Sequence, residues 1–213
     1  MTRLRRVLSL AIAAAALLQS ASASAQNLPE PENRAVRRSG FMFAVQGGYA
    51  LGYASGNPAA QARRFDPDFT TSGFFPAGYR LTPFIAGALT DWFVFGLGGT
   101  FAQYQSGSHQ SPLAAFLIRI EAFPLFYRGG VWRDLGVSME FGAGGSSIRR
   151  SSDDKELASA GVASTLGLGA FWETWRFGHI AAGPFAGYQY NWSDHFDRHE
   201  LAIGLRGTFY GGP

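Results

Sequence analysis

The chain has 213 residues with 18 basic and 15 acidic side chains and a sequence pI near 9.4. Arg3, Arg5 and Arg6 account for the whole basic excess, so the chain beyond them is formally neutral and the charge gives no support to a nucleic-acid partner. It contains no cysteine, which excludes a disulfide scaffold, a thiolate metal site and a lipid anchor on cysteine; 46% hydrophobic and only 15% charged residues are unusual for a soluble domain.

Residues 1–25 read as a secretory signal peptide. Three arginines precede an apolar stretch from Val7 to Leu18, and Ala23-Ser24-Ala25 supplies an A-x-A cleavage site. The mature chain is therefore expected to begin at Gln26 in an exported compartment. Residues 26–39 (QNLPEPENRAVRRS) are polar, contain two prolines and lack periodicity, so they read as a periplasmic linker.

From Gly40 onward the period is two. Phe41, Phe43, Val45, Tyr49, Leu51 and Tyr53 alternate with small or polar residues, and Tyr79, Leu81, Ile85 and Leu89 alternate with Arg80, Thr82 and Ala86. Phe93, Phe95, Leu97 and Phe101 oppose Gly96, Gly98 and Thr100. In AAFLIRIEAF, residues 114–123, Phe116, Ile118 and Ile120 fall on one face, and Arg119 and Glu121 on the other. Four further segments follow, carrying Glu140, Gly167, Gln189, and Glu200 with Arg206 on the small or polar face. No window after the signal offers 18 consecutive apolar residues, so a spanning helix is not expected.

Eight alternating strands, each long enough to cross a tilted path through a bilayer, predict an all-β fold: a transmembrane antiparallel up-and-down barrel over residues 40–210, with a short tail at 211–213. Long polar connections are expected near 55–77, 105–112, 147–159 and 192–198. Short turns are expected at Thr90-Asp91, Gly129-Gly130 and Glu173-Thr174. Trp92, Trp132, Trp172 and Trp175 fall beside the short turns and, with Trp192, are expected to mark the membrane interfaces. Facing parity does not carry through Trp92 or Trp175 with two-residue turns, which implies either strand boundaries off by one residue or bulges there.

This pattern resembles the small Gram-negative outer-membrane barrels of the OmpX and OmpA-membrane-domain type, over about residues 40–210. The last strand, from Glu200 to Phe209 (ELAIGLRGTF), is similar to the terminal assembly signal of such barrels, although Tyr210 to Pro213 follow the phenylalanine. The resemblance implies outer-membrane location, contact with outer-membrane lipid and lipopolysaccharide, delivery by the outer-membrane assembly machinery, and a monomer without cofactor.

Arg80, Arg119, Glu121, Glu140, Glu200 and Arg206 are the candidate lumen network, three of each sign. An eight-stranded barrel is just wide enough for side chains to fill, so such a network is expected to plug it. The rival is a narrow pathway through the network. His179 lies two residues before Ala181, where lipid-modifying barrels such as the lipid A deacylase carry a serine after their catalytic histidine, so that motif is broken and no enzyme is expected. Asp194, His195, Asp197 and His199 are metal-capable residue types, but a solvated loop is the expected reading, with no metal site. Residues 142–147 (GAGGSS) lack the lysine of a phosphate loop; glycines there relieve crowding. Arg149 and Arg150 are the candidate lipopolysaccharide contact. A structural or surface-interaction role through the outer loops is the leading function, ahead of a narrow channel for small or amphipathic solutes and a lipid-modifying enzyme. A soluble ligand-binding barrel would be apolar inside, the reverse of this pattern.

Overall fold

The structure, a computed structural model, describes Arg38, residues 40–58, Arg63 and residues 65–212. The expected signal peptide, most of the linker and Pro213 lie outside these residues.

Eleven strand elements make eight staves. They are β1 (Gly40–Gly56), β2 (Thr71–Phe75), β3 (Ala77–Thr90), β4 (Phe93–Ser106), β5 (His109–Ala122), β6 (Leu135–Arg150), β7 (Glu156–Ser159), β8 (Ala163–Trp172), β9 (Trp175–Phe177), β10 (Ile180–Ser193) and β11 (Phe196–Tyr210). β2 and β3 form one stave against β1, interrupted at Pro76, which has no N–H for the ladder. β7, β8 and β9 likewise form one stave between β6 and β10. The last strand pairs with the first from Met42↔Tyr210 to Gly56↔Phe196, which closes the barrel and leaves no edge.

All neighbours are antiparallel and the alternation fixes which face each side chain takes. Ile85, Phe116, Ile118, Leu201, Ile203 and Leu205 are exposed on the outside, whereas Arg80, Arg119, Glu121, Glu200 and Arg206 are each 3% exposed or less. In water this arrangement would expose far more contiguous apolar surface than a monomer tolerates; in hydrocarbon the closed ladder pairs the strand backbones with one another and places apolar side chains in their own solvent.

Small residues make the interior fit. Across the ladder Gly167 faces Glu140, Gly96 faces Arg119, Gly183 faces Arg206 and Gly142 faces Leu117. A Cβ on Gly167 would sit 2.6 Å from the Glu140 carboxylate, and one on Gly142 would land on the Phe116 carbonyl oxygen.

The expected connections need correction at five places. The expected loops at 55–77 and 147–159 carry paired strand, β2 in the first and the end of β6 with β7 in the second. Residues 107–108 and 194–195 are two-residue turns rather than long loops, because polar outward residues mark where the chain leaves the apolar belt, not where the ladder stops. Conversely, Gly129 and Gly130 belong to a twelve-residue connection, 123–134, that holds two 3-10 turns and buries Phe123 and Phe126. The parity problem near Trp92 is a register shift between Ala88 and Thr90, and the one near Trp175 is the break between β8 and β9.

Candidate functional site: a charged lumen

Both termini of the barrel lie at one end, taken as the inner mouth. Here Arg38, at the close of the expected linker, enters the barrel with no side-chain exposure. Its guanidinium lies 2.8 Å from Asp134 and 3.1 Å from Glu173, and rests 3.4 Å above the Phe123 ring. Burial disfavours its charge, but Tyr210, Glu173 and Asp134 more than offset this and raise its pKa above the ordinary guanidinium value. Arg176 adds a 3.0 Å pair to Glu173, and the Tyr210 hydroxyl donates to the same carboxylate at 2.6 Å.

The charges continue without a gap from this mouth into the lumen. Arg206 reaches Glu173 at 3.7 Å and holds Glu121 through two bonds of 2.5 and 2.8 Å. Arg119 donates to Glu121 at 2.7 Å and also pairs with Glu140. Arg80 lies 2.6 Å from Glu140 and 3.6 Å from Glu200, and Arg198 lies 3.5 Å from Glu200. Aromatic faces complete the sandwich: Arg119 lies over Phe84 at 4.5 Å, Arg206 over Phe171 at 3.9 Å and Arg198 over Tyr104 at 3.9 Å. All six residues expected in the lumen thus lie in one run of ion pairs.

Sequence reasoning missed Arg38, Asp134, Glu173, Arg176 and Arg198 as members of this run. Arg198 carried a usable signal, since it shares the parity of Glu200 and Arg206, but its segment reads as loop. The other four come from connections or segment ends, where period two gives no facing.

Apolar side chains gather at the outer end of the barrel. Phe75, Tyr104, Ile148, Ala158 and Phe196 are all buried there, and Phe75 and Tyr104 lie 6.2 Å apart. Asn57 ties the outer connections together. Its N–H donates to the His195 carbonyl, its amide nitrogen donates to the Asp66 carbonyl at 2.8 Å, its side-chain oxygen accepts from Thr70, and its carbonyl accepts from the Ser159 N–H. Asn57→Ala removes three side-chain bonds, to Arg63, Asp66 and Thr70, from a buried position, so the outer loops are expected to loosen by about 1–3 kcal/mol. Limited proteolysis of folded protein checks this: cleavage between residues 58 and 70 should accelerate while the strands stay resistant.

The remaining candidates separate. Trp132 stacks on Trp172 at 6.2 Å, and with Trp92 and Trp175 lines the inner rim, while Trp192 stands alone of the five at the outer rim. Arg149 and Arg150 lie at the outer end of β6 and pair with Asp154 at 3.0 Å and Asp153 at 3.2 Å. The His179 ring meets the Tyr210 carbonyl at 3.0 Å, and Ala181 is fully buried in the wall. Asp194 and His195 make the last turn, with His195 edge-on to Phe65, whereas Asp197 and His199 stand on the outward face of β11. Among the described residues no three His, Cys, Asp or Glu side chains come together as a metal site.

An apolar outer belt, two aromatic rims and a charged interior in a closed eight-stave barrel define the class: this is a small outer-membrane β-barrel, the fold that the resemblance to OmpX-type barrels implies. No family model matches the sequence, and no curated protein does. Similar solved structures include Ail, the attachment invasion locus protein of Yersinia pestis, at 16% identity and a TM-score of 0.47, covering 80% of this chain and 99% of that one. Neisserial surface protein A is similar at 14% identity and a TM-score of 0.44, over 77% of this chain and 95% of that one. The outer membrane protein OprG from Pseudomonas aeruginosa is similar at 10% identity and a TM-score of 0.45, over 82% and 98%. At these identities nothing of those proteins' activities passes to this chain.

Proposed function

We propose that this chain serves the outer membrane as a plugged, non-enzymatic barrel whose role is structural or surface-directed and is carried by its outer loops. On this reading the chain is exported, cleaved after Ala25, inserted by the outer-membrane assembly machinery and works as a monomer without cofactor. The observation that supports it is the unbroken run of ion pairs from Arg38 to Arg198, which commits the lumen charges to one another rather than to a solute. A network in which each charge is paired resists the entry of ions, because a passing ion must replace bonds that are already made. The segment between β1 and β2 is the longest outer connection and the natural surface for contact.

Complementation of a strain lacking the protein tests this. A chain in which residues 58–69 are replaced by a two-residue turn should lose the strain's envelope or surface phenotype, while Glu121→Gln should keep it provided that it still inserts. The reverse outcome would point to transport through the lumen.

A further inference from the structure

The outer wall carries a groove whose shape and chemistry the lumen does not explain. It has a volume of about 540 Å³ and crosses β8, β10, β11 and β1, with Ala170 and Ala186 in its floor and Leu168, Tyr188, Ile203 and Tyr49 along its sides. Ala170 and Ala186 are direct partners across the ladder, so the floor is low over two adjacent strands. The tall sides are held in place: the Tyr188 hydroxyl meets His199 Nδ1 at 2.6 Å, and the Tyr49 hydroxyl donates to the Pro76 carbonyl.

The groove leads into a second feature nearer the outer rim. On the same outward face of β10 and β11, Tyr190 stacks on His199 at 4.6 Å and on Trp192 at 5.1 Å, and the Tyr190 hydroxyl donates to Asp197 at 2.5 Å. Trp192 is two outward positions beyond Tyr188, about 13 Å along the strand. Flat aromatic faces beside a carboxylate and an imidazole suit sugar rings, whose C–H faces pack on aromatics and whose hydroxyls bond to the polar groups. The outward positions of β10 and β11 carry no lysine or arginine, and Asp197 is negative, so this ledge is poorly made for a phosphate.

We propose that groove and ledge form one site for a single outer-leaflet glycolipid, with an acyl chain lying over Ala170 and Ala186 and a sugar of its headgroup on Tyr190, Trp192 and His199. The assignment rests on the membrane-spanning reading, since only there does an acyl chain reach the groove. It places the specific lipid contact on β10 and β11, apart from Arg149 and Arg150 at the outer end of β6.

The test is native mass spectrometry of the full chain in mild detergent with three probes: rough lipopolysaccharide, phosphatidylglycerol, and the deacylated saccharide of that lipopolysaccharide. The wild-type barrel should hold one lipopolysaccharide. Ala186→Phe, which fills the groove, and Trp192→Ala, which removes the ledge, should each weaken retention about fivefold to tenfold. Ala170→Leu fills the same groove from the neighbouring strand if Ala186→Phe does not fold. Absence of a retained lipid, equal retention of phosphatidylglycerol, or saccharide binding that is as strong as lipid binding would each overturn the proposal, as would unchanged retention in either variant. Heat-modifiable migration, recorded on the same samples, separates these outcomes from failure of the barrel reading itself, in which the wild-type chain would show no folded, membrane-inserted form.

Discussion

Glu121→Ala is expected to destabilise the refolded barrel by about 3–5 kcal/mol, the cost of breaking a buried pair by removing one partner. Glu121 accepts from Arg206 twice and from Arg119 once, all within the lumen, so its loss leaves two guanidinium groups facing a gap. Arg119 still has Glu140, and Arg206 keeps the neutral Thr208 hydroxyl and, as its carboxylate partner among the described residues, the more distant Glu173 at 3.7 Å, so Arg206 bears most of the cost. The double variant Glu121→Leu with Arg206→Met should therefore be less damaging than the single one, because no uncompensated charge remains. Urea unfolding in lipid vesicles, followed by tryptophan fluorescence and by gel migration, measures both.

Ile118→Lys is expected to disrupt insertion, by about 2–4 kcal/mol for a cation facing lipid near the midplane. Ile118 sits between Phe116 and Ile120 on the outside of β5, opposite Leu97 on β4 and Phe141 on β6. No acidic side chain stands among these neighbours to receive the lysine. Arg119→Ala, one residue along, should instead leave insertion intact and loosen the lumen, since its side chain points the other way. If both variants folded like wild type in the same urea titration, the assignment of faces would be wrong.

The contrast between these adjacent residues explains what was legible in the sequence. Within a strand, period two assigns each side chain to a face, and a barrel with lipid outside and charges inside makes the two faces chemically opposite. The facing of Arg80, Arg119, Glu121, Glu140, Glu200 and Arg206 is therefore legible in the sequence alone. The inner mouth is not, because its partners are far apart in sequence: Arg38 is 96 residues from Asp134 and 135 from Glu173. No local pattern links them, and only barrel closure brings them together. Strand ends were misjudged for a different reason. Polarity reports the edge of the hydrocarbon, and the ladders through residues 103–112 and 189–200 run past that edge before they turn.

Asn57 shows how the same limit applies to the outer loops. Its bonds reach three connections at once, a role that nothing around it in GNPAA announces. The groove on β8, β10 and β11 is similar, since Ala170 and Ala186 read as ordinary outward alanines until their pairing places them side by side.

Conductance of the refolded full-length chain in planar bilayers tests the proposal of a plugged lumen most directly. With Arg38 to Arg198 joined across the interior, the wild-type barrel should insert and pass no stepwise, porin-like current, and Glu121→Ala should be the variant that first shows leak. Stable porin-like steps from the wild-type protein would contradict the account.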